Sequence, residues 1–213
     1  MRRPWAAGAL VALLCGLCAG PGATAAVREP VPASAAASSA PPHALADRAA
    51  SLVGEMSVAE RASTIVMGHV ASTDPAVLRS YMQSGIGGFI LMGPNIPATE
   101  PELQALTAAL TVDPALPSLI AVDQEGGIVS RLVGDDYPAS TSLKERPVAD
   151  TSAAFAARGS LVARAGITVN FGTVADVTDD PASFIHGRAL GTDPAAAAER
   201  VAAATEAQEP FVA

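Results

Sequence analysis

Cysteine is nearly absent from this chain. Its 213 residues hold two, Cys15 and Cys18, both inside an apolar N-terminal stretch. Once that stretch is cut away, neither a disulfide nor a cysteine metal site can form, and stability must come from an ordinary apolar core. Lysine is equally scarce, with Lys144 alone among arginines. Positive charge is short overall: 13 Lys and Arg stand against 21 Asp and Glu, a net charge of −8 that becomes −10 when Arg2 and Arg3 are removed. An acidic chain of this kind has no electrostatic reason to hold nucleic acid or an anionic membrane. The apolar run Ala6 to Ala19 is short of the ~20 residues a spanning helix needs. No Gly-Lys-Ser/Thr occurs. The glycine run Gly85-Ile86-Gly87-Gly88 precedes its strand, whereas a phosphate loop places its glycines after the strand, at a helix N-terminus. A nucleotide site is therefore excluded.

The N-terminus reads as a secretory signal over residues 1–25. Arg2 and Arg3 supply the positive start, Ala6 to Ala19 the apolar core, and Ala23-Thr24-Ala25 a small-residue cleavage site. This predicts a secreted protein, extracellular or cell-wall associated, with no stable membrane insertion after cleavage. Lipoprotein anchoring is disfavoured because Leu14 and Leu17, not small residues, precede the two cysteines. Residues 26–43 are rich in Ala, Ser and Pro and have little to bury, so they read as a disordered linker before a domain over residues 44–213.

Within that domain apolar strands alternate with helical segments, the pattern of a parallel α/β fold. Helices are expected over residues 45–53, 57–67, 100–110, 151–165 and 195–207, with Ser57 and Glu60 forming a capping box and Pro194 in a first helical turn. Strands are expected at 88–92, 118–122 and 167–171. Residues 134–146, acidic and poor in apolar side chains, read as a loop over the strand ends.

The run from Leu116 to Leu132 carries the most chemistry. Leu119-Ile120-Ala121-Val122 is a buried strand, and Asp123, Glu125, Gly126, Gly127 and Arg131 follow it. In α/β folds the C-terminal ends of strands are where ligands sit, so carboxylates there meet a substrate. Gly126 and Gly127 let the backbone turn sharply, and Arg131 can swing back over the same mouth.

This run resembles the strand "P-L-L-I-A-V-D-Q-E-G-G-R-V-x-R-L" of glycoside hydrolase family 3, in its bacterial β-N-acetylhexosaminidase branch. Four further blocks are similar in the same order: Gly54 to Arg61, Gly85 to Ile96, Gly166 to Val177, and Phe184 to Pro194. The run and the blocks depart from the family pattern at Ile128 and Gly187, among other positions. Ile128 stands where the family has Arg, and Gly187 where it has Asp.

The resemblance implies the first three or so β/α units of a TIM-like (β/α)8 barrel, with open sheet edges that invite the missing half or self-association. It implies a retaining glycosidase acting on β-linked N-acetylglucosamine in cell-wall or chitin-like sugars, with nucleophile and acid/base expected beyond residue 213. Two alternatives stand beside it: a catalytically inactive fragment acting at most as a sugar-binding or interaction module, and a β-glucosidase of the same family. By the same resemblance Asp123, Arg131 and Arg188 bind substrate, while Glu125 and Asp176 stand behind them. His69 and His186 are read as structural or surface residues. A carbohydrate is the expected partner; no cofactor or metal is expected.

Overall fold

The structure is a computed structural model that describes residues 42–212. The signal and nearly all of the linker read from the sequence lie outside the described residues. The chain divides between Leu45 and Ala46 into two units, and the sheet, the core and the site all belong to the second. Helix α1 (Pro42–Glu55) spans this division and begins two residues inside the segment read as linker.

Four strands form one parallel sheet in the order β1-β2-β3-β4. They are β1 (Met67–Gly68), β2 (Gly88–Leu91), β3 (Leu119–Val122) and β4 (Val169–Asn170). The register sets Met67 beside Gly88, Gly88 beside Leu119 and Ala121 beside Val169. The parallel α/β class expected from the sequence is therefore the observed one.

The strand count is a correction. Helix α2 (Val58–Thr64) stops three residues earlier than expected, and Met67–Gly68 pairs with β2 as a first strand. Two paired residues are too short to produce a period-2 pattern. A helix over Pro75–Met82 (α3) was also unforeseen; Asp74 caps it by accepting from the N–H of Ala76 at 2.8 Å, and Pro75 suits its first turn.

The remaining helices lie where the sequence placed them: α4 (Glu100–Leu110), α6 (Val148–Arg164) and α7 (Pro194–Gln208). The Ser57–Glu60 capping box forms, with the Glu60 carboxylate accepting from the Ser57 N–H at 2.7 Å. Asp193 caps α7 by accepting from Ala195 and Ala196 at 3.0 Å each.

Phe89, Leu91, Ile120 and Val122 are buried in the sheet against Leu103, Leu106 and Leu110 of α4 and Leu161 and Val162 of α6. A second cluster joins Leu143, Phe155, Leu190 and Ala204 between α6 and α7.

The segment 134–146 is not a mere surface loop. It carries a short helix, α5 (Ser140–Leu143), whose Leu143 is fully buried. The side chain of Asp135 is also buried, against Arg158.

Candidate functional site

Strand β3 ends at Val122, so Asp123 is the first residue beyond the sheet, with 29% of its side chain exposed. Just past it the backbone reverses. The N–H groups of Glu125 and Gly126 donate to the carbonyl of Val129 at 3.0 and 3.1 Å. Gly126 and Gly127 take φ values of +82° and +68°, a region costly for side chains with a Cβ. A Cβ on Gly126 would also strike the Arg158 guanidinium, and one on Gly127 would lie 2.6 Å from the Cβ of Ala139. Glycine is thus needed at both places for conformation and for space.

The reversal brings Arg131 back to the strand end, where its Nη2 lies 4.0 Å from Oδ2 of Asp123. About a third of each side chain faces solvent. This is a loose pair, open enough for a ligand to enter between the two charges.

Arg188 arrives from the loop between β4 and α7. Its Nε donates to Oε2 of Glu125 at 2.9 Å and its Nη2 to Oε1 at 2.6 Å. Such a bidentate, charge-assisted pair fixes the guanidinium plane. Its hydrogen bonds to Glu125, joined by the charges of Glu125, Asp123 and Asp176, hold Arg188 protonated even more firmly than an ordinary guanidinium. Glu125 is nearly buried, whereas Arg188 keeps an exposed edge.

The structure therefore brings the five residues singled out from the sequence into one neighbourhood. Asp123 and Arg131 form an open pair, and Glu125 anchors Arg188. Asp176 is exposed and acts on Arg188 through its charge. The imidazole of His69 stacks on Phe89 with centroids 6.5 Å apart, and His186 offers its backbone carbonyl to Lys144.

Sequence reasoning missed Gln124, which is fully buried between the two acids. Its Oε1 accepts from the N–H groups of Arg131 and Leu132 at 2.8 and 2.9 Å. Its Nε2 donates to Ser130 Oγ at 2.7 Å and to Asp135 Oδ2 at 2.6 Å. Asp135 in turn binds Arg158 through Nε at 2.7 Å and Nη2 at 3.1 Å, with both side chains shut off from solvent. Asn170, at the end of β4, closes the arrangement from the other side. Its Oδ1 accepts from the N–H of Gln124 at 2.9 Å and its Nδ2 donates to the Gln124 carbonyl at 3.1 Å.

A cavity of about 690 Å³ opens at the other end of the sheet, lined in part by Ser84, Ile86, Leu116 and Leu119. Of the acids on its wall, Glu60 is engaged in the capping box and Asp113 accepts from Ala115, so it gathers no comparable chemistry.

The model of the "Glycosyl hydrolase family 3 N terminal domain" matches residues 57–208, well over half of the chain. The chain belongs to glycoside hydrolase family 3. It is 40% identical over 85 residues to the β-hexosaminidase LpqI of Mycobacterium tuberculosis, an alignment covering 38% of this chain and 22% of the relative. It superposes on the structure of M. tuberculosis LpqI with a TM-score of 0.66 and 26% identity, covering 75% of this chain and 47% of that one. It also superposes on NagZ from Neisseria gonorrhoeae in complex with N-trifluoroacetyl-D-glucosamine, with a TM-score of 0.59 and 25% identity over 68% of this chain and 46% of that one. The family 3 chain thus spans about half the length of these two structures, and the aligned part about a fifth of the curated relative. Glycosidase chemistry is the family's, and the parallel α/β arrangement with its strand-end site accords with it.

Proposed function

We propose that this chain carries the sugar-gripping part of a β-N-acetylhexosaminidase-type site, with Asp123, Arg131 and Arg188 binding β-linked N-acetylglucosamine from cell-wall or chitin-like sugars. The observation that carries this reading is the open Asp123–Arg131 pair, 4.0 Å apart at the C-terminal end of β3. A carboxylate accepting from two sugar hydroxyls, with a guanidinium donating beside it, meets a hexose from both polarities. The exposed edge of Arg188 supplies a second set of donors across the mouth. The glucosamine ligand of the Neisseria NagZ structure supports an N-acetylglucosamine-type sugar here over glucose.

The gripping residues do not hydrolyse the sugar themselves. A retaining glycosidase needs one carboxylate free to attack and a second group that passes a proton. Both oxygens of Glu125 are taken by Arg188, and Asp123 faces Arg131. Asp123 and Glu125 are accordingly expected to hold the sugar and brace the site without attacking it. Export through the N-terminal 25 residues belongs to the same proposal, since cell-wall sugars lie outside the membrane; cleavage near Ala25 in a secreting host is the expected sign.

Calorimetric titration of the full chain with N-acetylglucosamine and with glucose tests the reading. Saturable binding that prefers N-acetylglucosamine, and is lost in Asp123→Ala, is expected. Equal or stronger glucose binding would favour a β-glucosidase, and turnover of a chromogenic N-acetylglucosaminide well above blank would overturn the division of labour.

A further inference from the structure

Gln124 sits between two acids of the strand end yet turns away from both, into the interior. There its carboxamide does two things at once. Its oxygen accepts from the consecutive backbone N–H groups of Arg131 and Leu132, at 2.8 and 2.9 Å. Its nitrogen is held by Ser130 Oγ at 2.7 Å and by Asp135 Oδ2 at 2.6 Å. The second bond fixes the first, because the Asp135 carboxylate is itself locked by the buried Arg158 guanidinium. Arg158 lies directly under Gly126, so the same ion pair supports the floor of the turn between Glu125 and Val129. The backbone of Gln124 is gripped as well, by Asn170 on β4. The side chain of Gln124 thus ties the far end of this segment, at Arg131 and Leu132, back to the end of β3.

We propose that Gln124 is a positioning residue of the sugar site: it closes the loop so that Arg131 stands against Asp123, with Asp135 and Arg158 as its buried anchor. The assignment rests on the sugar-gripping reading above, but the two fail in different ways. Gln124 touches no ligand. It acts through the backbone of Arg131, and buried polar bonds of this kind fix a single geometry because an unmade partner is costly.

The test compares Gln124→Met, Arg131→Ala and the double variant, each titrated with N-acetylglucosamine, alongside amide hydrogen exchange on the full chain. Gln124→Met should weaken binding about tenfold, as Arg131→Ala does, and the double variant should be no weaker than Arg131→Ala. A side chain that merely stabilised the fold would instead add its effect to that of Arg131→Ala. The amides of residues 131 and 132 should lose protection in Gln124→Met, while those of Ile120 and Val122 keep theirs. Additive losses, binding within twofold of the parent, or unchanged protection at residues 131 and 132 would overturn the proposal. Were the parent chain to bind no N-acetylglucosamine, the sugar reading would fall, and the exchange data would still decide whether Gln124 closes the loop. If Gln124→Met does not fold, Gln124→Leu replaces it. Leucine offers no acceptor and must leave the same two amides unpaired, so the same comparisons apply.

Discussion

Replacing Arg158 by methionine should be among the most destabilising single changes available in this chain. Its guanidinium is fully buried, holds Asp135 through two hydrogen bonds of 2.7 and 3.1 Å, and lies 4.7 Å from the ring centroid of Phe155. Methionine keeps much of the volume but leaves the Asp135 carboxylate buried with no positive charge beside it, only the amide of Gln124 at 2.6 Å and the N–H of Tyr137 at 3.4 Å. Breaking a buried pair by removing one partner costs roughly 3–5 kcal/mol, because the remaining charge has no water to return to. The lost cation–π contact adds about 1 kcal/mol. For a domain of this size each kcal/mol moves the melting temperature by about 2–4 °C, so a fall of roughly 8 °C or more is expected. Urea unfolding followed by circular dichroism measures the free energy directly. The paired change Arg158→Met with Asp135→Leu should recover at least half of the loss, since replacing a whole buried pair by apolar groups is often neutral. A cost below ~1 kcal/mol for Arg158→Met, the size of an exposed pair, would refute the burial argument.

Three further outcomes are expected. Asp123→Ala should weaken N-acetylglucosamine binding tenfold or more, since each hydrogen bond lost to a charged group is worth roughly 1.5–3 kcal/mol, whereas Asp136→Ala in the neighbouring exposed turn should leave calorimetric affinity unchanged. Ile128 and Gly187, both departures from the family pattern, are neighbours: a Cβ on Gly187 would lie 2.8 Å from Cδ1 of Ile128. Ile128→Arg combined with Gly187→Asp should therefore couple favourably by about 0.5–1 kcal/mol in a double-mutant cycle read by urea unfolding. The Glu60 carboxyl is held below the usual carboxylate range by the hydrogen bonds it accepts from the Ser57 hydroxyl and backbone N–H. Its folded pKa is depressed, so its support of α2 is present above the ordinary carboxylate range and is lost as pH falls through the folded value; NMR titration should show the Glu60 midpoint rise in Ser57→Ala.

Much of this was legible in the sequence, and the misses have physical causes. Strand β3 could be read because it is apolar, buried on both faces and bounded by Pro117. Helices α4, α6 and α7 could be read from their length and, for α7, from Pro194 in its first turn. Strand β1 could not, since Met67–Gly68 is defined by its partner and not by any pattern of its own. The site divided along the same line. Asp123, Glu125 and Arg131 were visible as charges at a strand end. Gln124 was not, because its importance lies in bonds to residues six to eleven positions away. Arg158 did leave a trace. It falls on the buried stripe of α6 with Ala154, Phe155 and Val162, a place where a charge must find a buried partner. Its partner, Asp135, lay in the segment read as exposed loop.

The most direct measurement is an NMR titration of the isotope-labelled full chain with N-acetylglucosamine, following each backbone amide and the arginine side chains. Saturable shifts concentrated at Asp123, Arg131 and Arg188, with residues lining the cavity around Ile86 and Leu116 unmoved, are the predicted result. Saturable shifts at that cavity instead, or none at the end of β3, would contradict the assignment of the sugar site.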